Sequence, residues 1–174
     1  MNRDPWKTHA ARLAEQLAEQ GAITDPAWRR TVEAVPRHVF VPGVALVLAY
    51  SDQTLVAQRK QHPDQPGFSW STSSSTRPSF TLRLLHLLDV RDGVDVLEIG
   101  TGTGYTAALL CHRLDSQHVT TVDIDPDLTR AARRHLAHAG YRPNVTTGDG
   151  LHGDPAHAPY DRVLATVAHE HVPY

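Results

Sequence analysis

Glycines 100, 102 and 104 and the acidic residues Asp123 and Asp149 are the residues of this sequence best suited to holding a ligand. Val96-Leu97-Glu98-Ile99 is a short apolar run that leads into Gly100-Thr101-Gly102-Thr103-Gly104-Tyr105 and then into Thr106-Ala107-Ala108-Leu109-Leu110. Glycines allow a backbone to approach a ligand without Cβ interference, and the helix behind them presents unpaired N–H groups. Asp123 closes a second apolar run, Val119 to Asp123. A carboxylate at that end of an open α/β sheet reaches ribose hydroxyls. Thr147-Gly148-Asp149-Gly150 has two readings. It is good turn chemistry, and it also allows Asp149 to accept from an adenine amino group. Nicotinamide dinucleotides are disfavoured, because Tyr105 stands where G-x-G-x-x-G needs its third glycine.

Alternating elements must position these residues. Ala10, Leu13, Leu17 and Ala18 recur at helical spacing over residues 6 to 20, and Gly21 ends that run. Asp25-Pro26 opens a second helix, as cap and first residue, that ends before Pro36. Residues 36 to 77 read as irregular, with Pro63, Pro66 and a serine cluster in the polar stretch from Gln58 to Thr76. Beyond them the pattern predicts helix 79–89, strand 95–99, helix 104–114, strand 119–123, helix 126–139, strand 144–147 and strand 161–167. Such alternation argues for an α/β fold with a mostly parallel sheet. Asp125-Pro126 reads as a helix cap rather than a ligand contact.

The 174 residues suit one domain, with 40% hydrophobic and 21% charged residues, and the formal charge of −2 suggests no polyanion-binding field. No nucleic-acid partner is expected, since Trp6, Trp28 and Trp70 are too scattered to form a stacking platform. The single cysteine, Cys111, reads as a buried small hydrophobe. Met1-Asn2-Arg3-Asp4 starts no apolar signal core and no run reaches membrane-spanning length, so a cytoplasmic protein with no membrane partner is the expectation. His169-Glu170-His171 and the pair His135 and His138 lack further ligands, and no metal site is expected.

Taken together, Leu97-Glu98-Ile99-Gly100-Thr101-Gly102-Thr103-Gly104-Tyr105, Gly148-Asp149-Gly150 with Gly153, and Ala158-Pro159-Tyr160-Asp161 resemble the protein-L-isoaspartate (D-aspartate) O-methyltransferase family. Val35-Pro36-Arg37-His38-Val39-Phe40-Val41-Pro42 and Ala49-Tyr50-Ser51-Asp52 resemble its N-terminal region. The resemblance implies a Rossmann-like methyltransferase fold, S-adenosyl-L-methionine (AdoMet) as methyl donor, and an altered aspartyl carboxylate in a protein or peptide as acceptor. It assigns AdoMet to Glu98, Gly100, Thr101, Gly102, Gly104, Tyr105, Asp123, Asp149 and Gly150. It also implies two regions within one structural domain, 1–77 as N-terminal helices with a substrate-side loop and 78–174 as the AdoMet-binding core.

Where the family has a short hydroxyl-bearing motif before proline, this chain has Ser74-Ser75-Thr76-Arg77-Pro78. The resemblance gives Thr76 the role of orienting the substrate carboxylate, with Ser74 and Ser75 as neighbouring donors. Arg77 either attracts that carboxylate or is simply solvated. The stretch from Gln58 to Ser73 is longer than the family's compact loop, and the sequence ends after the fourth strand of the core, where members continue. A truncated sheet is therefore expected, with Val163-Leu164-Ala165 on an uncovered edge. Some divergent members modify ribosomally made peptides, so a dedicated peptide substrate is one alternative. A non-catalytic cofactor-binding or interaction fragment is another.

Overall fold

The computed structural model describes residues 4–62 and 64–167. The His169-Glu170-His171 motif and Pro63 lie outside the described residues.

Helix α1 (Pro5–Glu19) buries Ala10, Leu13, Ala14 and Leu17, the stripe that its spacing predicts. Helix α2 (Pro26–Ala34) starts where Asp25 accepts the Ala27 N–H at 2.7 Å. After a short 3-10 turn (Arg37–Phe40) and helix α3 (Leu46–Ala49), the chain forms strands β1 (Leu55–Gln61) and β2 (Ser69–Ser75), which pair antiparallel. This overturns the irregular structure expected of residues 36 to 77. Neither strand carries an apolar face, so its sequence lacks the alternation that marks a half-buried strand. Cross-strand pairing makes the hairpin, and its ladder slips between Val56 and Arg59.

Helix α4 (Pro78–Leu88) leads into the core, formed by β3 (Val96–Ile99), α5 (Tyr105–Leu114), β4 (Val119–Asp123), α6 (Pro126–His138), β5 (Asn144–Thr147) and β6 (Arg162–Ala165). These four strands make one parallel sheet in the order β5-β4-β3-β6. The chain moves outward from β3 through β4 to β5, then returns to the other side of β3. That reversal opens a crevice at the carboxyl end of β3, where ligands of open α/β sheets bind. Among the described residues no strand covers the outer edge of β6, where Val163 is exposed while Leu164 faces the core.

One apolar cluster joins α1 and α2 (Leu13, Leu17, Trp28, Val32) to Leu109 and Leu110 of α5 and to Leu164 of β6. Helix α5 is buried almost all round, which fixes the glycine loop that precedes it. Cys111 is buried there, and burial pushes its thiol up to about 12. No described helix is long and apolar enough to cross a membrane.

Candidate functional site

The crevice is a cleft of about 510 Å³ between the glycine loop and the hairpin. Gly100, Thr101, Gly102, Tyr105 and Asp123 line it from the core side, and Ser74, Ser75 and Thr76 line it from β2. Residues predicted from two distant parts of the chain thus face one another.

The glycines meet distinct demands. Gly100 has φ of +101°, and a Cβ there would stand 2.6 Å from Val167 Cγ1 and 2.8 Å from Thr166 Oγ1. Gly102 has φ of +50° and faces the hairpin, its missing Cβ 3.5 Å from Ser73 Oγ. An L side chain at either position would be strained. Gly104 packs beneath the loop against Ala132 of α6.

Asp123 organises the loop from the end of β4. Its Oδ2 accepts the Gly102 N–H at 2.9 Å, and its Oδ1 accepts the Asp125 N–H at 3.0 Å. Each oxygen keeps acceptor capacity for a ligand hydroxyl. On its other side Asp123 borders a second hollow of about 250 Å³, shared with Gly100, Ile124 and Val167 and walled by Asp149 and Gly150. Asp149 is a turn residue that also lines this hollow. One oxygen accepts the Leu151 N–H at 2.9 Å as a turn cap, and the carboxylate still borders the hollow. A Cβ on Gly150 would stand 2.3 Å from Ile99 Cγ2, so this glycine lets the turn lie on β3.

Glu98 occupies a different level. It is buried, outside the cleft lining, and accepts from Thr121 Oγ1 at 2.7 Å. The Thr121 hydroxyl lies 2.7 Å from that of Thr101. Burial pushes the Glu98 carboxyl up to about 8, with the Thr121 hydrogen bond opposing the rise and the charge of Asp123 adding to it. Glu98 therefore supports the loop from below through two threonines.

On the hairpin side Ser75 is buried and its Oγ has no hydrogen-bond partner among the described residues, while Thr76 is half-buried and Ser74 exposed. Arg77 is outside the cleft and largely solvent-exposed, as the simpler of its two readings has it. Its Nη2 donates to Asp52 Oδ2 at 3.3 Å and its Nε to Ser79 Oγ at 3.1 Å. Asp125 caps α6 as the sequence predicts, with Oδ1 accepting the Asp127 N–H at 2.8 Å. Its Oδ2 meets Lys60 Nζ at 2.8 Å and Gln58 Nε2 at 3.2 Å, contacts that no local sequence pattern announces. His135 donates from Nδ1 to the Thr103 carbonyl at 3.2 Å, and no group of metal-ligating side chains is found among the described residues.

Arg37, in the Val35–Pro42 run, is the largest fully buried side chain described. Burial lowers its pKa, and the Tyr105 ring centroid lies 5.4 Å from its guanidinium carbon. An arginine flanked by Val35, Val39, Phe40 and Val41 is the only sequence signal of that burial.

Known proteins share this fold. The solved structure of a protein-L-isoaspartate O-methyltransferase superposes with a TM-score of 0.78 at 28% identity, over 93% of this chain and 49% of the other. A crystal structure from Plasmodium falciparum, described as a putative protein-L-isoaspartate O-methyltransferase in complex with S-adenosyl-L-homocysteine, superposes with a TM-score of 0.73. It covers 94% of this chain and 76% of its own, and its 14% identity speaks to the fold alone. The protein-L-isoaspartate O-methyltransferase of Aeropyrum pernix is 37% identical over 95% of this chain, which spans 60% of that relative's length. That of Gloeobacter violaceus is 38% identical over 91% of this chain and 71% of its own. The family model for protein-L-isoaspartate(D-aspartate) O-methyltransferase matches residues 8–174, and the chain belongs to that family.

Proposed function

We propose that this chain acts as an AdoMet-dependent carboxyl O-methyltransferase on isoaspartyl residues of proteins or peptides. The observation that carries this reading is Asp123, poised between two adjoining hollows opposite the hydroxyls of Ser74, Ser75 and Thr76. In it, Asp123 takes the ribose hydroxyls, the 250 Å³ hollow takes the adenine beside Asp149, and the 510 Å³ cleft takes the remainder and the acceptor. Gly100, Thr101, Gly102, Tyr105 and Gly150 shape these walls, and Gly104 supports the loop from beneath. Glu98 keeps Thr101 in place.

AdoMet supplies an electrophilic methyl group on a sulfonium. The acceptor carboxylate is already ionised at neutral pH, so its oxygen needs no general base. The protein's work is alignment and exclusion of water. Thr76 donates a hydrogen bond to one carboxylate oxygen and leaves the other free to attack in line. The unpartnered Ser75 Oγ is a second donor at the same wall. The methyl ester formed then closes, by attack of the following backbone nitrogen and loss of methanol, to a succinimide. Hydrolysis of that ring returns part of the material to normal aspartate.

The test is calorimetric titration of the chain with S-adenosylhomocysteine (AdoHcy), followed by methylation of an isoaspartyl peptide and its aspartyl counterpart. Binding together with transfer to the isoaspartyl peptide alone is expected. Binding without transfer to either peptide would overturn the isoaspartyl reading. A dedicated peptide substrate is the second reading, favoured by Phe68 and Trp70, exposed on and beside a strand that runs into Ser74–Thr76. Transfer only to a peptide encoded beside the gene would establish it.

A further inference from the structure

The Arg37 guanidinium is fully buried and meets no carboxylate at ion-pairing distance among the described residues. It donates instead to four main-chain carbonyls. Nη1 reaches Ala49 O and Ser51 O, each at 2.8 Å, and Nη2 reaches Gln53 O at 3.1 Å and Thr76 O at 3.4 Å. Three of these acceptors belong to one segment, and the fourth is the residue assigned to the substrate carboxylate.

The same two segments are also joined from the opposite side. Asp52 Oδ1 accepts the Ser79 N–H at 2.8 Å, and Thr54 Oγ1 accepts the Arg77 N–H at 3.3 Å. Carbonyls 51 and 53 thus turn to Arg37, while side chains 52 and 54 turn to residues 77–79. The planar fork of arginine suits such a task, because its donors leave in fixed directions. A buried ion is a poor source of stability compared with apolar packing, so its use here calls for a geometric reason.

We propose that Arg37 is a positioning residue that fixes the exit of β2, so that Thr76 faces the acceptor across the cleft. Its stacking on Tyr105 sets that exit against the first residue of α5, and so against the glycine loop. This role rests on the carboxyl-methyltransferase reading for its catalytic consequence, but not for its structural one.

The test compares Arg37→Met and Arg37→Lys with the parent chain by two independent measurements. The first is amide hydrogen exchange at Arg77 and Ser79. Exchange about tenfold faster in both variants is expected, with the amides of β3 and β4 unchanged. Unaltered exchange at Arg77 and Ser79 would overturn the proposal whether or not the chain is active, and Arg37→Lys serves if Arg37→Met does not fold. The second is kcat/KM for an isoaspartyl peptide, counted per AdoHcy-binding site. A loss of about 100-fold is expected in Arg37→Met, partly restored in Arg37→Lys, with AdoHcy affinity changed less than about threefold. Thr76→Ala should then add little to Arg37→Met. Losses that simply multiply, or that match a loss of binding sites, would overturn it. Absence of transfer by the parent would count against the proposed function alone.

Discussion

Lys60 Nζ lies 2.8 Å from Asp125 Oδ2, and this contact fastens the β1–β2 hairpin to the start of α6 across the cleft. Asp125 thereby does two jobs with one carboxylate, capping the helix with one oxygen and holding the hairpin with the other.

Lys60→Ala should speed AdoHcy release without harming the fold, because the helix cap survives. The lysine is half-exposed, so the change should not exceed about fivefold, and added salt should speed release in the parent more than in the variant. Stopped-flow displacement at two salt concentrations measures both. Lys60 also holds the Asp125 carboxyl down at about 2. A depressed carboxylate pKa stabilises the folded state above the ordinary value near 4, and that contribution fades as pH falls toward 2.

Asp123→Ala removes the acceptor for the Gly102 and Asp125 N–H groups together with the proposed ribose contact. AdoHcy affinity should fall at least about 100-fold, the equivalent of two hydrogen bonds to a charged group. Calorimetry reads this directly, and retained affinity would show that the nucleoside is held elsewhere.

Glu98 sets a pH dependence on stability. Its folded-state pKa of about 8 lies above the ordinary 4.5, so between those values the folded chain holds a proton that the unfolded chain has released. Stability should therefore fall as pH rises through that window. Glu98→Gln keeps an acceptor for Thr121 and should remove the dependence, the two proteins diverging by on the order of 4 kcal/mol across it. Urea unfolding at pH 5, 6.5 and 8 would show parallel trends if burial were not the cause.

Gly150→Ala drives a methyl group into Ile99, 2.3 Å away, and should cost about 1–3 kcal/mol of stability. Ile99→Ala in the same chain should recover part of that loss against its own single variant. Thermal unfolding of the four proteins completes the cycle, and simple additivity would refute the contact.

The parallel core was legible because its signals are local. Val119–Asp123 and Asn144–Thr147 have the predicted ends, and the caps at Asp25 and Asp125 fall where a short acidic side chain precedes proline. The hairpin was not legible, since Ser-Trp-Ser-Thr-Ser-Ser-Ser becomes a strand only through its partner. Glu98 sits in the strand where predicted, yet its place beneath the loop depends on Thr121 from the neighbouring strand. Arg37 is the clearest gap, because its acceptors are carbonyls, and a carbonyl leaves no mark on residue type.

With an N–H already resting on each oxygen of Asp123, the glycine loop has its shape before any small molecule arrives. The entropy of ordering that loop is surrendered when the chain folds, and little of it is left to be lost at association. Such a recess favours a rigid nucleoside of matching outline over larger or more pliant relatives. It also ties recognition to folding, so damage to the β4 terminus would register as a weakened fold as well as an empty site.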